Sequence, residues 1–88
     1  MFEIILSSNS QKFYQNCNSQ LAGKLNGAFD DLSIQPFYGK NIKKLKGSFE
    51  GLYRYRVRDY RIVYSIEKEI RIVSIVWIGN RKEINKKK

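Results

Sequence analysis

Two runs of alternating residues meet at Arg58-Asp59, and no other stretch restricts the fold as much. Leu52 to Val57 and Tyr60 to Ile66 are rich in aromatic and β-branched residues, the composition of strands. A short even-length loop at Arg58-Asp59 makes them a hairpin. It pairs Val57 with Tyr60, Arg56 with Arg61, Tyr55 with Ile62 and Arg54 with Val63. Strand side chains alternate between faces. One face therefore carries Tyr53, Tyr55, Val57, Tyr60, Ile62, Tyr64 and Ile66. The other carries Leu52, Arg54, Arg56, Arg61, Val63 and Ser65.

The second face is informative because like charges directly opposite across a strand pair are destabilising. Setting Arg56 against Arg61, with Arg54 nearby, gains nothing as scaffold. It makes sense if an anion sits between them, since the planar guanidinium fork grips phosphate oxygens in two places at once. Three solvated arginines on an exposed face are the plain alternative.

The 88 residues suggest one domain, 1–88. Hydrophobic residues are 42% and charged residues 28%, a globular balance. One cysteine, Cys17, and no histidine leave no internal disulfide, no expected zinc site, no expected cofactor and no histidine-activated nucleophile. Cys17 reads as a small buried hydrophobe. No apolar run approaches a membrane span, and no basic n-region precedes Phe2 to Leu6, so a cytoplasmic protein without a membrane partner is expected.

The net charge of +9 is unevenly placed. Residues 1–39 carry Lys12 and Lys24 against Glu3, Asp30 and Asp31, a net −1. Residues 40–88 hold fifteen bases against five acids, a net +10. Such a basic half implies a polyanionic partner.

Phe2 to Leu6 reads as a first strand. Ser8 with Gln11 fits a capping box opening a short helix to about Asn16. Leu21, Leu25, Ala28, Phe29 and Leu32 form one stripe of a second, amphipathic helix that Pro36 stops. Gly23 and Gly27 interrupt it, either to allow close approach or as tolerated flaws. Gln35 to Ser48 reads as a loop whose Lys40, Lys43, Lys44 and Lys46 form a phosphate-tracking rim beside the arginines. Lys68-Glu69 is a second short turn, pairing Ser65 with Ile72, Val63 with Ser74 and Arg61 with Val76. Ile70 to Ile78 is apolar on both faces, with Ile72, Val76 and Ile78 on one and Val73, Ile75 and Trp77 on the other. That marks an interior strand. The expected fold is α+β, in the order β-α-α-β-β-β. Two N-terminal helices pack on the aromatic face of an antiparallel-rich four-stranded sheet, and the arginine face stays open.

Four segments together resemble the RelE/ParE toxin superfamily, on the RelE side: Leu45-Lys46-Gly47, Gly51 to Val57, Asp59 to Tyr64, and Ile78-Gly79-Asn80-Arg81-Lys82-Glu83. The resemblance implies the toxin of a type II toxin–antitoxin pair, neutralised by a cognate acidic antitoxin. RelE-like members cut mRNA on the ribosome without a cofactor. The substrate's 2′-hydroxyl attacks the adjacent phosphorus and leaves a 2′,3′-cyclic phosphate. Carried over by position, Arg54, Arg56, Arg61 and Arg81 fall on the catalytic basic residues. Lys43, Lys44, Lys46, Asn80, Lys82 and Asn85 are the expected substrate-binding residues. Many relatives have histidine at Asn80, tyrosine at Asn85 and glycine at Arg58. The alternatives are a ParE-like gyrase poison, a catalytically weak toxin homologue that binds antitoxin or RNA, and a small basic RNA-binding domain.

Overall fold

The computed structural model describes residues 1–80. Its order is β1 (Glu3–Leu6), α1 (Ser8–Asn16), α2 (Ser19–Ile34), β2 (Ile42–Lys44), β3 (Tyr53–Val57), β4 (Tyr60–Glu67) and β5 (Ile72–Asn80), with a 3₁₀ turn at Gly47–Phe49. The strands form one sheet in the order β1-β5-β4-β3-β2. The α+β class and the two helices are as the sequence indicates. The strand count is five rather than four, and the sheet is mixed, because β1 runs parallel to β5.

The fifth strand is β2, inside the stretch read as loop. It pairs antiparallel with β3, Ile42 opposite Tyr55 and Lys43 opposite Arg54. Three residues with a single apolar member carry no alternation to detect. Pairing with β3 makes this strand, not its own propensity. At the other edge, Glu3 pairs with Ile72 and Leu6 with Ile75. That places β5 between β1 and β4, the interior position its sequence indicates.

The cap of α1 is Ser7, one residue before the expected Ser8. Its backbone N–H donates to Ile75 O at 2.8 Å, closing the strand ladder, while its Oγ accepts from Ser10 N at 3.3 Å, opening the helix. Ser10 is fully buried, and its hydroxyl donates to Ile75 O. Asn18 caps α2 by accepting from Leu21 N at 2.8 Å. The predicted stripe of α2 is the buried one: Leu25 and Leu32 are inaccessible and Ala28 nearly so. Each leucine contributes about 1.5–3 kcal/mol through burial. Gly23 and Gly27 are exposed, and a Cβ at either would meet nothing within 4 Å, so neither serves close approach.

These stripes close on Tyr55, Val57, Ile62, Tyr64, Val73, Ile75 and Ile78 of the sheet. Tyr64 is fully buried and donates its hydroxyl to Pro36 O at 2.8 Å. Tyr53 stacks on Tyr64 across the strands, ring centroids 5.5 Å apart. Tyr55 donates to Asp31 at 2.6 Å, tying β3 to α2 and giving a partner to a carboxylate that the helix dipole disfavours.

The second hairpin departs from expectation twice. Its loop spans residues 68–71 rather than Lys68-Glu69, with Arg71 at φ +57°. Ser65 therefore pairs with Ser74, not Ile72. A β-bulge then leaves Val76 as an extra residue, since Tyr64 faces Ile75 while Val63 faces Trp77. Beyond the bulge the parity of β5 inverts. Ile78 joins Val73 and Ile75 in the core, and Trp77 moves to the open face, contrary to the simple alternation. No helix among the described residues is long and apolar enough to cross a membrane.

Candidate functional site

The β3–β4 hairpin has the register read from its sequence: Val57 with Tyr60, Arg56 with Arg61, Tyr55 with Ile62 and Arg54 with Val63. Its two-residue loop puts Arg58 at φ +55°, a conformation that L side chains adopt at a cost. The tyrosine-rich face turns toward the helices. The arginine face lies on the far side of the sheet.

Two cross-strand rows make up that face. One runs Lys43, Arg54, Val63, Trp77 from β2 to β5. The other runs Arg56, Arg61, Gly79. Arg56 N donates to Asn41 O at 2.9 Å, extending the second row to the end of β2. Four cations on three strands thus border an apolar floor of Val63 and Trp77.

The arginines are held differently. Arg54 is half-buried, and its Nη1 reaches Asn41 O at 3.4 Å. Arg61 is half-buried, with Nη1 donating to Arg58 O at 3.0 Å and Tyr60 O at 2.9 Å. These carbonyls tie the guanidinium to the hairpin turn. Arg56 is exposed. Two arginines paired at one register position on the same face concentrate positive potential where a phosphate could bridge them.

Of the remaining candidates, Lys43 stands on the arginine face, opposite Arg54. Lys44 stands opposite Tyr53, so register turns it to the helix side of the edge strand. Lys46 is exposed just before the 3₁₀ turn, outside the sheet. Asn80 ends β5 opposite Tyr60. Tyr60 packs edge-on against Phe13 of α1, so register places Asn80 on the helix side too. Arg81, Lys82 and Asn85 lie outside the described residues, as does Glu83.

Sequence reasoning missed Trp77 and Asn41 here. The signal for Trp77 was Gly79 two residues on, where a Cβ would collide with the indole's Cζ2 and Cη2. Among the described residues, no three His, Cys, Asp or Glu side chains converge as a metal site would require.

The family model for the ParE toxin of the type II toxin–antitoxin system parDE matches residues 6–85. The chain belongs to the RelE/ParE toxin superfamily. Solved structures with the RelE/ParE fold include the archaeal RelE–RelB complex from Pyrococcus horikoshii OT3, at 24% identity and a TM-score of 0.78. That match covers 91% of this chain and 94% of that one. The YoeB/ParE toxin from Agrobacterium tumefaciens is 19% identical with a TM-score of 0.80, covering 91% and 99% of the two chains. The intact E. coli RelBE toxin–antitoxin complex is 21% identical with a TM-score of 0.78, covering 91% and 96%. At these identities the likeness is one of fold. A search of curated protein sequences finds no match.

Proposed function

We propose that the chain is a ribosome-dependent mRNA endoribonuclease, a single-domain toxin held in check by an acidic antitoxin. The observation that carries this reading is the pairing of Arg56 with Arg61, flanked by Arg54 and Lys43 on the sheet face away from the helices. In the proposed reaction the substrate's 2′-oxygen bonds to the adjacent phosphorus as the bond to the 5′-oxygen breaks. The 2′-hydroxyl gives up its proton, the 5′-oxygen gains one, and a 2′,3′-cyclic phosphate remains. The phosphorane between these states carries extra negative charge. Fixed positive groups aimed at developing charge are often the largest catalytic contribution. Arg54, Arg56 and Arg61 supply that charge, and Arg81 follows in sequence where β5 ends. Arginine keeps its proton at any relevant pH, so these residues stabilise charge and do not take the 2′-hydroxyl proton. Lys82 and Glu83 are the titratable groups adjoining Arg81 in sequence.

The antitoxin follows from charge and kinship. A +10 half calls for an acidic partner. The P. horikoshii and E. coli structures that share the fold are complexes of RelE with RelB.

The test adds purified protein to programmed ribosomes carrying end-labelled mRNA, beside the Arg61→Ala variant. The expected result is cleavage within the decoding-site codon, cyclic-phosphate ends, no change with EDTA, and a loss of at least 100-fold in Arg61→Ala, in keeping with removal of one charge-stabilising donor. Full activity of Arg61→Ala would sink the site. Intact mRNA with broken DNA would instead establish a gyrase poison.

A further inference from the structure

We infer that Trp77 is a stacking platform for a substrate base, an assignment that rests on the RNA-cleaving reading above and adds a recognition element to it. Three observations converge. The bulge at Val63/Tyr64 inverts the parity of β5 and brings Trp77 to the open face, opposite Val63. The indole then lies across Gly79, which has no side chain to lift it, and Gly79 is the register partner of Arg61. Val63, the register partner of Trp77, is only 4% exposed although it faces away from the helices, and Trp77 itself stays partly exposed.

The arrangement suits a nucleotide rather than a bare anion. Phosphate oxygens can reach the cations of Lys43, Arg54, Arg56 and Arg61, while a base needs a flat apolar surface beside them. An indole pressed flat on the sheet provides one, and every base has a π-face to lay against it. Glycine inside a strand weakens it and marks a close approach. Here the approach is that of the indole, held down next to Arg61. A merely apolar position would need only an aliphatic side chain at 77 and no glycine at 79.

Trp77 is the only tryptophan in the chain, so its emission reports on this position directly. The experiment titrates the protein at low salt with a 2′-deoxy, uncleavable single-stranded hexanucleotide, and with the same backbone lacking its bases. The base-bearing strand should quench the emission, and the abasic strand should bind without quenching. Trp77→Leu should weaken the base-bearing strand about 5- to 150-fold, the range for one stacked base, and the abasic strand less than twofold. Trp77→Phe should keep most of the affinity. Circular dichroism and melting of each variant establish that it is folded. Equal binding of the two strands without quenching, or a folded Trp77→Leu with unchanged affinity, would overturn the platform. The ribosome assay separates the two readings. Cleavage by wild type that needs Arg61 but is the same in Trp77→Leu removes the platform alone. Absence of cleavage by wild type removes the nuclease beneath it.

Discussion

Arg58 and Arg61 sit three residues apart, yet the hairpin uses them in different ways. Arg61 needs the carbonyl of Arg58, not its side chain. Arg58→Gly keeps that carbonyl and relieves the positive φ, at the cost of a more flexible unfolded chain. The expected net is a gain of about 0.5 kcal/mol, seen as a melting rise of a few degrees, with ribosomal cleavage unchanged. Tyr64 is the opposite kind of residue. Tyr64→Phe leaves the Pro36 carbonyl without its buried donor, and a cost of about 1–3 kcal/mol is expected in urea unfolding. The same hydroxyl sets a pH limit. Burial pushes the Tyr64 phenol well above its usual value near 10, and burial with the Asp31 contact raises Tyr55 as well. Above pH 10 the unfolded chain releases these protons while the fold keeps them, so stability falls with rising pH. Below 10 this contribution is fully present. Unfolding free energy should decline above pH 10 by up to about 1.4 kcal/mol per unit for each tyrosine. Tyr64→Phe should show the shallower decline.

At the scale of elements, α2 carries a defect that nothing in its packing requires. Gly23 and Gly27 both face solvent with room for a methyl group. Gly23→Ala and Gly27→Ala should each stabilise by up to about 1 kcal/mol and add when combined, measured as urea midpoints. Unchanged midpoints would mean that the helix gains nothing from alanine there. From sequence the two glycines could equally have marked a close approach, because a stripe tells which side of a helix is buried but not how near its neighbour comes. The same divide runs through the sheet. The β3–β4 hairpin was legible because its alternation is long and its loop short, so parity alone gives the register that sets Arg56 against Arg61. It failed for β2, where Ile42-Lys43-Lys44 is too short to show a period. It failed again in β5, where one extra residue at Val76 reverses every later face and only pairing with β4 reveals it. Alternation alone therefore gathers Arg54, Arg56, Arg61 and Val63 on one face but leaves out Trp77, whose side only the bulge reveals.

For the whole molecule, the question is whether binding to RNA belongs to one face or to the total charge. The chain carries +9, the sum of −1 over residues 1–39 and +10 after them. The described open face gathers only Lys43, Arg54, Arg56 and Arg61. Each phosphate neutralised on a single strand contributes about −0.7 to the slope of log K against log salt. Four contacts give a slope of about −3, whereas nine diffuse charges acting together would give about −6. Titrating a longer uncleavable 2′-deoxy strand, with more phosphates than the chain has net charges, between 50 and 200 mM salt should therefore return a slope near −3. Arg56→Ala should lower it by about 0.7, because that side chain is exposed and makes its contribution through charge. Lys24→Ala, on α2 and away from the open face, should leave it unchanged. A slope near −6 that both variants reduce equally would mean that the protein binds RNA as a diffuse polycation. In that case the pairing of Arg56 with Arg61 would lose its meaning as a phosphate site.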